Sequence, residues 1–445
     1  MPSRVIDIGT KQPISFVRLH WTEENEVGQY AALSYCWGGE PPIKSTSSTV
    51  QDFTDGIRFS WFPQTLQDAM VVANKLGIRY IWIDCICIIQ DDPEDVSREI
   101  GKMPSIFQEA YITISASSAR NVQEGFLQPR PSVSKTCMKL PFETPAGKSG
   151  SILIEEPHRY TPEKNPISLR AWTLSEHILS PRILDYGSED VWWICGSTKT
   201  SLDDEPMDVS TDQSQNKQFS LDSWRSTLRD YTRRFLTFPG DKFPAISGVA
   251  ADFGAVYQSD YLAGLWKSAL PKDLLWSSAR SDISRPTVHR APSWSWAAVD
   301  GEVSYKWCPT SFSDPAIVID CRATPASLDA PYGALNPTLS AYLKIQGLMK
   351  RFKCGTTRQR LIEVATIEDP TNATHIGRAQ GDADEKLPVD EYGWSYVWAL
   401  VVVENPMRGL LLVPVREGYY RRVGLFYRLW GEGLEGFETD TITII

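Results

Sequence analysis

The sequence predicts an α/β fold, with a parallel sheet in the first half followed by a strand-rich α+β C-terminal region. Three observations predict it. Short apolar runs alternate with helical patterns between residues 30 and 117, as βαβ units do. The run 80–89 (YIWIDCICII) is apolar almost throughout, as a strand covered on both faces must be. Beyond residue 399, strand-like runs follow one another without intervening helices. With 445 residues the chain exceeds one ordinary domain of roughly 100–200 residues. Two or three compact units are therefore expected.

Residues 30–37 (YAALSYCW) form the first predicted strand, ended by Gly38-Gly39. A helix follows over 63–76, where Leu66, Ala69, Met70, Ala73 and Leu76 recur at helical spacing and Gly77 stops the pattern. After the strand at 80–89, Asp92-Pro93-Glu94-Asp95 supplies a cap, a first-turn proline and first-turn acids. Val96, Ile100, Met103 and Phe107 continue that helix, with a kink expected at Pro104. Residues 111–117 (YITISAS) give a third strand and 182–196 a further pair. The stretch 128–168, rich in Pro, Ser and Lys, reads as an insertion in a core spanning 1–196. Residues 197–219 read as a polar linker. A helical stretch at 224–257 belongs to a C-terminal region, 220–445, expected to pack on the core. In it, 367–392 reads as a polar, acidic loop and 400–403, 409–415 and 419–429 as antiparallel strands.

Composition narrows the function. Hydrophobic residues at 42% and charged residues at 22% exclude a disordered chain. Forty-five basic against fifty-five acidic side chains leave a net charge of −10, which argues against a broad nucleic-acid or anionic-membrane surface. No apolar run approaches membrane-spanning length and the start has no signal core, so a soluble, cytoplasmic protein is expected. The eight cysteines are scattered, with Cys85 and Cys87 the only close pair. No second ligand pair follows at finger-like spacing, so neither metal nor cofactor is expected.

In an open parallel sheet, ligands bind outside the carboxyl ends of the strands. Ser34, Cys36, Trp37, Gly38 and Gly39 end the first strand, and Gln90 and Asp91 follow the second; these are candidate substrate-binding residues. The glycine pair lacks the spacing of a dinucleotide or P-loop fingerprint, and a tight turn is its plainer reading. Asp84 lies inside the apolar run. A buried carboxylate needs a partner, so Asp84 is either a structural hydrogen-bonding hub or a tuned acid or base. The third cluster is 170–177 (RAWTLSEH). As a helix it brings Trp172, Glu176 and His177 within two turns, with Arg170 just under two turns before Glu176. Glu176 and His177 can form a proton-transfer pair, although adjacent helical residues point about 100° apart. The alternative is a capped helix with its charges in solvent. No nucleophile elbow, kinase, Walker or metalloprotease motif is present.

Taken together, these segments resemble the fungal heterokaryon-incompatibility (HET) domain family. Residues 32–39 (ALSYCWGG) resemble its opening block. Pro63, Thr65, Asp68 and Ala69, leading to Trp82-Ile83-Asp84 and Cys87-Ile88-Ile89-Gln90-Asp91 and then Glu99, Met103 and Ala110, resemble the second. Arg170, Trp172, Thr173, Leu174, Glu176 and 179–182 (LSPR) resemble the third. Further matches, including Asp241-Lys242 and 291–296 (APSWSW), carry the likeness across most of 16–305. The resemblance implies a Rossmann-like core distantly similar to TIR domains and a role in programmed cell death when unlike hyphae fuse. It also implies nucleotide cleavage as one option, with Glu99 and Glu176 the candidate acids. The chain departs from the pattern where Ser175 and His177 replace a usual Gln and Arg, and where Phe62 and Phe107 replace a usual Leu and Tyr.

Two functions are carried forward. One is a HET-type effector acting through self-association, a partner protein or nucleotide cleavage. The other is a HET-fold protein recruited as a cofactor-independent enzyme of fungal specialised metabolism, such as a cyclase, isomerase, dehydratase or pericyclase, with Asp84, Glu176 and His177 handling protons on a small-molecule substrate. The sequence leaves the oligomeric state open.

Overall fold

The structure, a computed structural model, describes residues 1–130, 137–143, 145, 147–155, 160–201, 219–280, 283–308, 315–354, 360–363, 375–384, 387, 395–429 and 435–445. The chain divides into two compact units, Met1–Asn216 and Lys217–Ile445.

The first unit runs β1 (Arg4–Asp7), β2 (Phe16–Trp21), β3 (Tyr30–Ser34), α1 (Val50–Asp55), β4 (Ile57–Arg58), α2 (Gln64–Lys75), β5 (Tyr80–Trp82), α3 (Asp84–Cys87), α4 (Pro93–Glu109) and β6 (Ile112–Ser115). It continues with β7 (Cys137–Glu143), β8 (Ser149–Glu155), α5 (Trp172–Leu179), β9 (Arg182–Tyr186), β10 (Val191–Cys195) and β11 (Thr198–Ser201). Nine of these strands make one sheet in the order β11-β10-β9-β6-β3-β5-β1-β2-β4. Only the centre, β9-β6-β3-β5, is parallel. The flanking strands pair antiparallel, so the sheet is mixed, α/β in class, with the expected parallel ladder at its core. β7 and β8, within the stretch read as an insertion, form a separate hairpin.

Buried side chains explain the centre. Every residue of β3 and β6 is buried, as both faces of a parallel sheet require. α2 covers the sheet through Leu66, Ala69, Met70 and Ala73, four of the five positions that the sequence spacing picks out, while Leu76, the C-cap, is exposed. Asp92 caps α4 by accepting the Glu94 and Asp95 amides at 3.0 and 3.3 Å, and the helix continues through Pro104 to Glu109. From β3 the chain crosses through α2 to β5, then returns past β3 through α4 to β6. Right-handed crossovers place α2 and α4 on opposite faces, and the reversal makes the carboxyl ends of β3 and β6 a topological switch point. α5 packs against α4 and over β3.

Four expectations need correction. The run 80–89 is not one strand: β5 stops at Trp82, and Asp84 opens the single turn α3. A fully buried segment carries no periodicity to separate strand from helix. The stretch 197–219 is not wholly a linker, because Thr198–Ser201 pairs with β10; residues 202–218 lie outside the described residues. Arg170 precedes α5 in extended backbone rather than sitting on the helix. Within 367–392, His375–Gly381 is a strand, held by backbone pairing that is indifferent to its polar side chains.

The second unit begins with α6 (Leu221–Thr232), started by a Ser220–Ser223 capping box, and α7 (Ser247–Tyr257). Two small hairpins pair β12 (Tyr261–Leu262) with β13 (Leu265–Trp266) and β14 (Ser277–Ser278) with β15 (Val303–Ser304). Then come β16 (Ile317–Arg322), β17 (Tyr342–Cys354), β18 (Arg360–Glu363), β19 (His375–Gly381), β20 (Ser395–Val403), β21 (Arg408–Arg416), β22 (Tyr419–Leu429) and β23 (Glu438–Ile444). β20, β21 and β22 form the antiparallel meander expected near the C-terminus. Because β17 also pairs with β20, the sequence β17-β18-β19-β22-β21-β20 closes on itself. Val397, Ala399 and Val401 alternate along β20 and pack with Phe352, Val423 and Phe426 in one apolar cluster. Trp294 and Trp296 are fully buried core residues.

Candidate functional site at the carboxyl ends of the parallel strands

Three stretches far apart in sequence meet where β3 and β5 end. Asp84, just past β5, accepts hydrogen bonds from the Tyr35 hydroxyl at 2.7 Å, the Trp37 indole N–H at 2.9 Å and the Cys85 amide at 2.6 Å. Tyr35 and Trp37 are two residues apart in the extended stretch after β3, so their side chains reach the same way. Gln90 Nε2 donates to the Asp84 carbonyl at 3.1 Å. From the third stretch, Arg170 Nη1 donates to the Tyr35 carbonyl at 2.8 Å. Buried Glu176, on α5, accepts the Ser34 hydroxyl. One short segment, 34–37, thus touches both carboxylates.

Electrostatics separate the groups. Burial pushes the Asp84 carboxyl above its ordinary value, while Tyr35, the Arg170 charge and Trp37 hold it back. The phenol of Tyr35 is pushed well up by burial and by the Asp84 charge, so it remains a proton donor. Burial also raises the Cys36 thiol, opposed by the Arg170 charge. Asp84 is therefore an acid held by three fixed donors, able to be protonated at a higher pH than an exposed aspartate.

The glycines shape the corner. Gly38 has φ +73°, and a Cβ there would lie 2.0 Å from Asn121 Cβ, so no side chain fits. Gly39, at φ +140°, is exposed with nothing close to it. Asp91 is exposed and accepts from the Ser47 amide and hydroxyl at 2.7 and 3.2 Å. Trp172 is half-buried at the start of α5.

Two candidates go elsewhere. Glu99 is buried on α4, where its carboxylate meets Lys102 at 3.2 Å and Arg98 at 3.6 Å on its own helix, not Asp84 or Glu176. His177 turns to Tyr160, whose hydroxyl lies 3.2 Å from Nε2 and donates to Asp185 at 2.8 Å. Asp185 also accepts the Ser117 hydroxyl, which sits 2.8 Å from that of Ser115. Sequence reasoning missed this second chain, and also Tyr35. Asp185 carried the signal used for Asp84, an acid inside an apolar strand; Tyr160 carried none. Ser34, Ser115 and Asp185 occupy one row across β3, β6 and β9; Glu176 accepts from the first, and His177 reaches the last through Tyr160. Tyr160 also lines a small, half-open pocket with Asn165, Asp190 and Trp192. Among the described residues no group of three or more His, Cys, Asp or Glu is placed to hold a metal ion.

The model of the family described as heterokaryon incompatibility protein (HET) matches residues 30–176. This segment is similar to a HET domain. It runs from the first residue of β3 to Glu176, so it contains every group that contacts Asp84 or Glu176 above, while Asp185 lies beyond it. No curated protein and no solved structure matches the chain. Among the described residues no helix is long and apolar enough to cross a membrane.

Proposed function

We propose that the protein is an effector of a heterokaryon-incompatibility-type cell-death response, acting through the HET-domain site with Asp84 and Glu176 as its essential acids. One observation carries this reading: the three sequence blocks of the HET resemblance are joined by direct hydrogen bonds where β3 and β5 end, through Tyr35, Trp37, Ser34 and Arg170. The carboxyl ends of the parallel strands are where α/β sheets take small ligands. An acid of raised pKa, linked through segment 34–37 to a second, buried carboxylate, suits protonation of a leaving group, as in cleavage of a nucleotide. Forced expression in a fungal host tests it. The wild-type chain should kill, and Asp84→Asn or Glu176→Gln should remove killing at equal protein level and unchanged melting temperature. Normal growth with abundant wild-type protein overturns the reading, as does killing by both variants.

The Tyr160 hydroxyl between His177 and Asp185 favours a second reading, a cofactor-independent enzyme of fungal specialised metabolism in which His177 moves a proton. Under it, cells expressing the chain grow normally, and His177→Ala lowers turnover of the small-molecule substrate.

A further inference from the structure

Adjacent residues of α5 serve different partners: Glu176 takes the Ser34 hydroxyl, while His177 faces Tyr160. The far end of the second chain decides where its protons sit. Asp185 is 1% exposed and accepts from the Ser117 hydroxyl on Oδ1 and from the Tyr160 hydroxyl on Oδ2, the latter at 2.8 Å. A carboxylate has no proton to offer, and a hydroxyl has one. Tyr160 gives its proton to Asp185, so toward His177 its oxygen can only accept. His177 Nε2, 3.2 Å away, must then be the donor. The same count makes Ser115 the donor to Ser117 at 2.8 Å. Every proton in the chain thus points at Asp185, from Ser115 and Ser117 on one side and from His177 and Tyr160 on the other. Packing holds the phenol ring between these groups: Trp192 meets it edge-on with centres 5.4 Å apart, and Lys199 Nζ lies 3.6 Å from its centre. Asp185, Trp192 and Lys199 all lie beyond the HET-similar segment.

We propose that Asp185, acting through Tyr160, holds His177 with a proton on Nε2, and that both are positioning residues for it. A carboxylate hydrogen-bonded directly to a histidine fixes tautomer and orientation in this way; here Tyr160 carries the same control across one more side chain. The role, though not the placement of the proton, rests on the enzyme reading above. Under that reading the imidazolium of His177 passes its Nε2 proton to the Tyr160 oxygen as Tyr160 passes its own to Asp185. The N–H bond and the old phenol O–H bond break, a new O–H bond forms on each of Tyr160 and Asp185, and the charges of His177 and Asp185 cancel. No oxidant, reductant or co-reactant is consumed.

Full-length protein carrying 15N in its five histidines is examined by long-range 1H–15N NMR at pH 9, above the ordinary imidazole range. His177→Gln assigns the signal. In the parent, His177 should carry its proton on Nε2. Tyr160→Phe keeps the ring and its contacts with Trp192 and Lys199 but removes the acceptor, so the Nε2 proton should exchange with water roughly tenfold faster, as loss of one hydrogen bond implies. Asp185→Asn tests the control at a distance. Its amide can donate to the Tyr160 oxygen and turn the Tyr160 proton toward His177, so a fraction protonated on Nδ1 should appear. A neutral parent His177 with its proton on Nδ1 overturns the proposal, as do unchanged His177 spectra in both variants. Because the spectra need no substrate, a chain that shows them without any turnover sinks the enzyme reading alone.

Discussion

At the scale of single residues, Asp84 is a carboxyl whose surroundings favour its protonated form. Burial dominates, and its folded pKa stands above the ordinary 3.8. The folded state therefore holds more proton than the unfolded chain in the window that opens at 3.8 and extends upward, and Asp84 makes stability fall as pH rises through it. Asp84→Asn removes that titration. Denaturant midpoints measured from pH 4 to 7 should decline less steeply with pH in the variant than in the parent. A steeper decline in the variant contradicts the assignment. Tyr35 and Trp37 each take a different oxygen of this carboxylate, which fixes the rotation of the group as well as its charge.

At the scale of elements, the corner after β3 depends on Gly38. Alanine there meets a left-handed backbone and Asn121 at once. Gly38→Ala should cost about 2–4 kcal/mol in chemical unfolding, the sum of an αL penalty and an overpacking penalty. Gly39→Ala meets open space and should cost less. How far sequence sufficed is also clearest here. α2 and α4 were legible because one face of each is buried, so spacing and caps register in the residues. Asp84 was legible because a carboxylate in an apolar run demands partners, and Tyr35 and Trp37 are those partners. The strand-to-helix break inside 80–89 was not legible, since Cys85, Ile86 and Cys87 are buried on all sides and leave no pattern. Nor was the direction of His177, which depends on Tyr160, a residue from another stretch whose position only the tertiary fold supplies.

At the scale of the whole molecule, the two compact units predict separate folding. Fragments 1–216 and 217–445 should each unfold in one cooperative transition by circular dichroism. Fragment 1–196 should be less stable than 1–201 by about 2 kcal/mol, because it strips β11 from β10 along four residue pairs. Equal midpoints for those two fragments show that β11 contributes nothing. The order of the large sheet has one more consequence. Its outermost strands are β4, two residues long, and β11, four residues that include Lys199. Brief or charged borders give a neighbouring molecule little ladder to extend, so lateral β-polymerisation of this unit is disfavoured. If copies of this unit cluster as they act, the aggregate should be discrete rather than fibrillar, joined through helices or loops and silent to thioflavin T.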